Sequence, residues 1–62
     1  MIEVNQYDKQ GNFIKTWAGP PEVYGALGVQ ASNIRAVCRG KRKTAGGFIW
    51  KYNTDNIEYL EY

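Results

Sequence analysis

Gly28 and Gly40 cut the middle of this chain into two short segments of helical periodicity, and any fold must accommodate that division. Upstream, Gly19-Pro20-Pro21-Glu22 has the chemistry of a helix start. Glycine is tolerated at the N-cap, proline is favoured in the first turn because its missing N–H would be unpaired there, and Glu22 complements the helix dipole. The first helix is expected to run to about Leu27, with Val23, Ala26 and Leu27 on its apolar face and Val29 closing back on that face. The second falls within Val29–Lys43, where Ile34, Val37 and Cys38 stand at i, i+3 and i+4. That spacing leaves Ser32, Arg35, Ala36 and Arg39 on the opposite side. Gln30 is a poor cap, so Ser32 is expected to serve and to move the start by a residue or two. Gly40 suits the left-handed position that stops a helix. The two helices, joined across Gly28-Val29-Gln30, make a helix-turn-helix, and each is too short to be stable alone.

The flanks read as strands. Ile2–Tyr7 and Phe13–Trp17 alternate around Asp8-Lys-Gln-Gly-Asn12, which predicts a hairpin with Gly11 in the φ > 0 position. Ile2, Val4, Phe13 and Trp17 are the candidates for its packed side, a facing that a one-residue slip would reverse. After Gly46-Gly47, Phe48–Tyr52 alternates with Phe48, Trp50 and Tyr52 on one side, more suited to covering a core than to stacking bases. Ile57–Tyr62 is a candidate last strand pairing with the one before it. The expected class is α+β: an N-terminal hairpin, a helix-turn-helix, then one or two antiparallel strands in a single domain.

Sixty-two residues bury only about 60% of their unfolded surface, which leaves no room for a deep cleft. A hydrophobic fraction of 44% still favours a folded chain. With no histidine and one cysteine, His/Cys zinc sites, histidine acid–base catalysis and an internal disulfide are excluded within these residues. The expectation is therefore no catalytic residue, no metal, no cofactor and no enzyme. Cys38, on the buried helix face, reads as a small core hydrophobe. Neither a signal peptide nor a membrane-spanning run is visible, so a cytoplasmic setting without membrane partners is expected. The net charge of +2 hides a strong asymmetry. Arg35, Arg39, Lys41, Arg42, Lys43 and Lys51 lie between Val23 and Thr54 with no acidic residue among them, while the remainder is net acidic. Segregation of this kind favours a polyanionic partner.

Taken together, Tyr7-Asp8…Gly11-Asn12-Phe13-Ile14…Trp17, Glu22…Leu27-Gly28-Val29, Ser32-Asn33-Ile34 and the run Arg39-Gly-Lys-Arg-Lys-Thr-Ala-Gly-Gly-Phe-Ile-Trp-Lys-Tyr52 resemble the nuclease-associated modular DNA-binding domain of the first type. The resemblance covers about residues 2–52, and the run from Arg39 to Tyr52 is its specific part. It implies a helix-turn-helix module of phage and intron homing endonucleases, gripping DNA beside a separate nuclease domain or partner chain. Three positions depart from the family pattern: Gly19 and Gln30 stand where serines cap the helices, and Val23-Tyr24 replaces two small residues.

Docked as helix-turn-helix units dock, the second helix would present Gln30, Ser32, Asn33 and Arg35 to base edges of double-stranded DNA. Arg39, Lys41, Arg42, Lys43 and Lys51 would meet phosphates. Two alternatives stay open. One is RNA binding, if Trp50 and Tyr52 are exposed enough to stack bases. The other is a protein-interaction or oligomerisation module using strand edges and the acidic C-terminal tail.

Overall fold

The first turn is built by one carboxylate. Asp8 Oδ1 accepts the N–H groups of Gln10 and Asn12 at 2.9 and 2.8 Å, its Oδ2 accepts the Asn12 side-chain amide at 3.0 Å, and Gly11 supplies φ 91°. These donors, Asn12 foremost, hold the Asp8 carboxyl below the usual carboxylate range. The flanking strands are β1 (Val4–Tyr7) and β2 (Phe13–Trp17), seen in a computed structural model that describes residues 2–53. They pair antiparallel, Val4 with Trp17 and Gln6 with Lys15, and then the register slips so that Tyr7 faces Phe13. Ile14 is the extra residue of a bulge. Because side chains alternate, one added residue moves Phe13 to the outer face, where its ring meets Tyr7 edge-on at 5.8 Å. Phe13 is 58% exposed, which corrects its assignment to the packed side; Val4 and Trp17 are buried as expected.

Next comes α1 (Pro20–Leu27), capped by Gly19 with both prolines in its first turn. Glu22 Oε1 accepts the Ala18 N–H at 2.7 Å, tying the helix start to the strand before it. Gly28 closes the other end at φ 74°, its N–H donating to the Tyr24 carbonyl. Only Pro20 and Val23 are buried, so the expected face of Val23, Ala26 and Leu27 is corrected: Leu27 is 47% exposed. The chain turns away at Gly28, and Val29 packs against the core in place of Leu27.

The second helix, α2 (Ala31–Cys38), starts from Gln30, whose carbonyl accepts the Asn33 and Ile34 N–H groups at 3.1 Å each, with no side-chain cap bond. Ser32 is therefore inside the helix and is not its cap. At the far end Gly40 adopts φ 81°, its N–H donates to Val37, and the Lys41 N–H donates to Ala36 at 2.8 Å. This pair of bonds is the Schellman arrangement.

Ala45-Gly46-Gly47-Phe48 then reverses the chain, with Ala45 and Phe48 exchanging backbone bonds across two glycines at φ 62° and 87°. Positive φ at both central positions is what a tight primed turn needs. It delivers β3 (Ile49–Tyr52), which pairs antiparallel with β1, so the sheet order is β2-β1-β3 and the first strand is central. The expected pairing of Ile57–Tyr62 with this strand lies outside the described residues.

The helices and the inner sheet face enclose Val4, Trp17, Val23, Ile34, Val37, Ala45 and Trp50, with Val29, Cys38, Phe48 and Tyr52 packed around them. Gln6, 4% exposed, accepts the Trp17 indole N–H at 2.9 Å, and Trp50 donates its indole N–H to the Ala45 carbonyl at 2.9 Å. Among the described residues no buried side-chain polar atom lacks a partner. Trp50 is fully buried, so it offers no stacking surface to a base.

Candidate nucleic-acid interface

The start of α2 gathers the residues selected for base contact. Gln30 and Ser32 are exposed, whereas Asn33 and Arg35 are half-buried, and all four stand on its first turn and a half. Arg35 is the cation of this group, while the Glu22 carboxylate on α1 accepts the Ala18 N–H. The arginine stands on the helix side away from Ile34 and Val37, both of which the core takes up.

The exit of α2 gathers cations of a different kind. The Schellman turn bends the chain sharply, with the Lys41 and Arg42 N–H groups both directed at the Ala36 carbonyl at 2.8 and 3.3 Å. Lys41, Arg42 and Lys43 are thereby turned out into solvent beside Arg39. Arg42 is partly folded back, its Nε donating to the Thr44 carbonyl at 3.2 Å. Lys51 comes from β3, and its Nζ lies 5.6 Å from the Tyr7 ring centroid, a cation–π contact on the outer sheet face that also carries Phe13.

Between the exit of α2 and β3 runs an open groove of about 580 Å³. Arg39, Arg42, Lys43 and Lys51 stand on it, while Lys41 stands outside it. The structure thus brings Arg39, Arg42 and Lys43 together at the exit of α2, with Lys51 lining the groove from β3 while its ammonium lies over Tyr7. Ile49 and Tyr52 also form part of the lining. Sequence reasoning missed Ile49 and weighed Tyr52 only as a stacking surface for RNA, because their place beside α2 follows from pairing with β1 rather than from any local pattern.

Cys38 also borders the groove, and burial pushes its thiol up to about 11, against the opposing pull of Arg39. It stays a neutral thiol at physiological pH. The described residues contain no cluster of three or more His, Cys, Asp and Glu able to hold a metal ion. No helix among them is long and apolar enough to cross a membrane.

This small α+β fold with a cationic groove has relatives among nucleases. No family model matches the chain. No solved structure matches it either. Two curated proteins do. One, named an uncharacterized HNH endonuclease, from Acanthamoeba polyphaga mimivirus, is 39% identical over 51 residues, which are 82% of this chain and 16% of that protein. The other, named "Probable mobile endonuclease B", from Enterobacteria phage T4, is 43% identical over 56 residues, 87% of this chain and 21% of that protein. The chain thus spans less than a quarter of the length of these relatives. Its similarity is to segments of two proteins named as endonucleases.

That relationship corrects the expectation that the protein is no enzyme, since both relatives are named endonucleases. The missing histidine speaks only for these 62 residues, whereas the similarity is to segments of much longer proteins named as endonucleases.

Proposed function

We propose that these residues bind double-stranded DNA in the service of an endonuclease, as a helix-turn-helix unit that lays α2 in the major groove. The observation that carries this reading is the clustering of Arg39, Arg42, Lys43 and Lys51 on one groove at the exit of α2, in a stretch with no acidic residue. Endonucleases act on nucleic acid strands, and the names of the two relatives support the same partner.

Gln30, Ser32, Asn33 and Arg35 contact base edges in this reading. Asn33 has the amide geometry for adenine and Arg35 the paired donors for guanine. Arg39, Lys41, Arg42, Lys43 and Lys51 contact phosphates, fixing register without reading sequence. A module this small binds weakly alone and gains affinity by acting beside a nuclease domain or partner chain, in the cytoplasm of a phage-infected or intron-bearing cell.

The test is a comparison of binding to random-sequence duplex DNA, single-stranded DNA and RNA of equal length at low salt. Preference for the duplex is expected. Preference for RNA or single strands would contradict groove docking, and a concentration-dependent dimer with no nucleic-acid affinity would favour a protein-interaction module.

A further inference from the structure

Asp55, Glu58 and Glu61 form a charged run that the DNA reading leaves without a task, since a phosphate backbone repels carboxylates. Residues 54–62 carry these three acids together with Ile57, Tyr59, Leu60 and Tyr62, and no cation. They continue from Asn53, whose N–H donates to the Glu3 carbonyl at 2.9 Å and whose side-chain amide donates to the Glu3 carboxylate at 2.8 Å. These two bonds fix where the segment begins, one residue beyond Tyr52 and so at the border of the groove. The groove has the opposite charge. Arg39, Arg42 and Lys43 stand on it, Val37 and Ile49 help to line it, and no acid among the described residues does.

We infer that residues 54–62 occupy the groove of their own chain and compete there with DNA, so that the acidic tail is a built-in brake on binding. Occupancy of the groove follows from charge and place alone; the competition rests on the DNA reading above. Reach permits it. Nine residues span up to about 30 Å when extended, against about 13 Å for the four residues of β3 beside the groove. Tethering favours it, because a short link holds the acids near the cations at an effective concentration in the millimolar range. Exposed ion pairs are each worth little, so the brake is weak and yields to a duplex that offers many phosphates at once. A groove filled about two thirds of the time weakens DNA binding about threefold.

The experiment has two readouts. The first is zero-length cross-linking of the 62-residue chain with a water-soluble carbodiimide at low salt and high dilution, mapped by mass spectrometry. Amide links within one chain from Glu58 or Glu61 to Lys43 are expected, and they should fade when a random-sequence duplex of about 25 base pairs is added. The second is the duplex affinity of the variant Asp55→Asn, Glu58→Gln, Glu61→Gln, expected to be about threefold tighter than wild type. In a background of Arg39→Ala, Arg42→Ala and Lys43→Ala that gain should vanish, which separates a contact in the groove from a general change in net charge. No link to Lys43, links spread equally to Lys9 and Lys15 on the hairpin, or links only between two copies as concentration rises would overturn occupancy by the chain's own tail. Unchanged affinity, or the same gain in both backgrounds, would overturn the brake. If the variants do not fold, the wild-type links and their response to DNA decide. No duplex affinity in any folded variant would sink the DNA reading, and the links to Lys43 would then decide occupancy by themselves.

Discussion

Replacing Gly46 by alanine should be far more damaging than replacing its neighbour Gly47, although both sit in the same tight turn. Each has positive φ, 62° and 87°, and a side chain there carries a conformational penalty of roughly 1–2 kcal/mol. The surroundings differ. A Cβ on Gly47 meets nothing within 4 Å, whereas one on Gly46 overlaps Val29 Cγ2 and crowds its Cγ1 at 3.3 Å. Val29 lies in the link between the two helices and packs against the core, so it has little freedom to withdraw. Overpacking of this kind costs roughly 1–3 kcal/mol more. Gly46→Ala should then lose about 2–5 kcal/mol from a domain whose whole stability is on the order of 3–9 kcal/mol. At about 4–8 °C per kcal/mol the melting temperature falls by roughly 8–40 °C, against about 4–16 °C for Gly47→Ala. Thermal denaturation followed by circular dichroism measures both. Repeating Gly46→Ala in a Val29→Ala background isolates the contact, since the excess cost should largely vanish there. Equal melting temperatures for the two glycine variants would refute the claim that the loop is seated on Val29.

Three further outcomes follow from buried or bonded side chains. Gln6→Leu leaves the buried Trp17 indole N–H without an acceptor and should cost about 1–3 kcal/mol in chemical denaturation, a loss that adding Trp17→Phe should partly restore. Asp8 has a folded-state pKa below its unfolded value, so its contribution is present above about pH 4 and is lost as pH falls through the folded pKa. Asp8→Ala should flatten the acid limb of a melting-temperature profile between about pH 4 and 2, and an unchanged limb would contradict that role. The Cys38 thiol, pushed up to about 11, should react with a thiolate-selective reagent at pH 8 about a hundredfold more slowly in the folded chain than in denaturant. Similar rates in both states would show that burial is not what governs it.

The helices were legible because their ends are written in local chemistry. Gly19-Pro20-Pro21-Glu22 and Gly28 bound α1 as expected, and Gly40 stops α2, since caps and left-handed glycines act over only a few residues. The sheet was less legible. Phe13 reads as inward by alternation, but the bulge at Ile14 turns it out, and no residue nearby announces a bulge. Leu27 fits the helical stripe yet stays exposed, because the core is completed by Val29 from beyond the turn. That β3 would pair with β1 rests on a contact distant in sequence, and it decides which of its amides face outward. The buried Gln6 gave no sign either, since its partner Trp17 lies on the other strand. For the candidate site, charge segregation pointed to the stretch of chain whose cations line the groove. Which cations would share a groove was hidden in the Schellman turn and in the position of the third strand.

Salt dependence of duplex binding tests the central claim most directly. If Arg39, Lys41, Arg42, Lys43 and Lys51 neutralise about five phosphates, log affinity should fall against log salt concentration with a slope near −4 to −5. The variant Lys41→Ala, Arg42→Ala, Lys43→Ala should bind all sequences more weakly by a similar factor and show a slope near −2. A wild-type slope close to zero, or a triple variant with unchanged slope and affinity, would contradict the account.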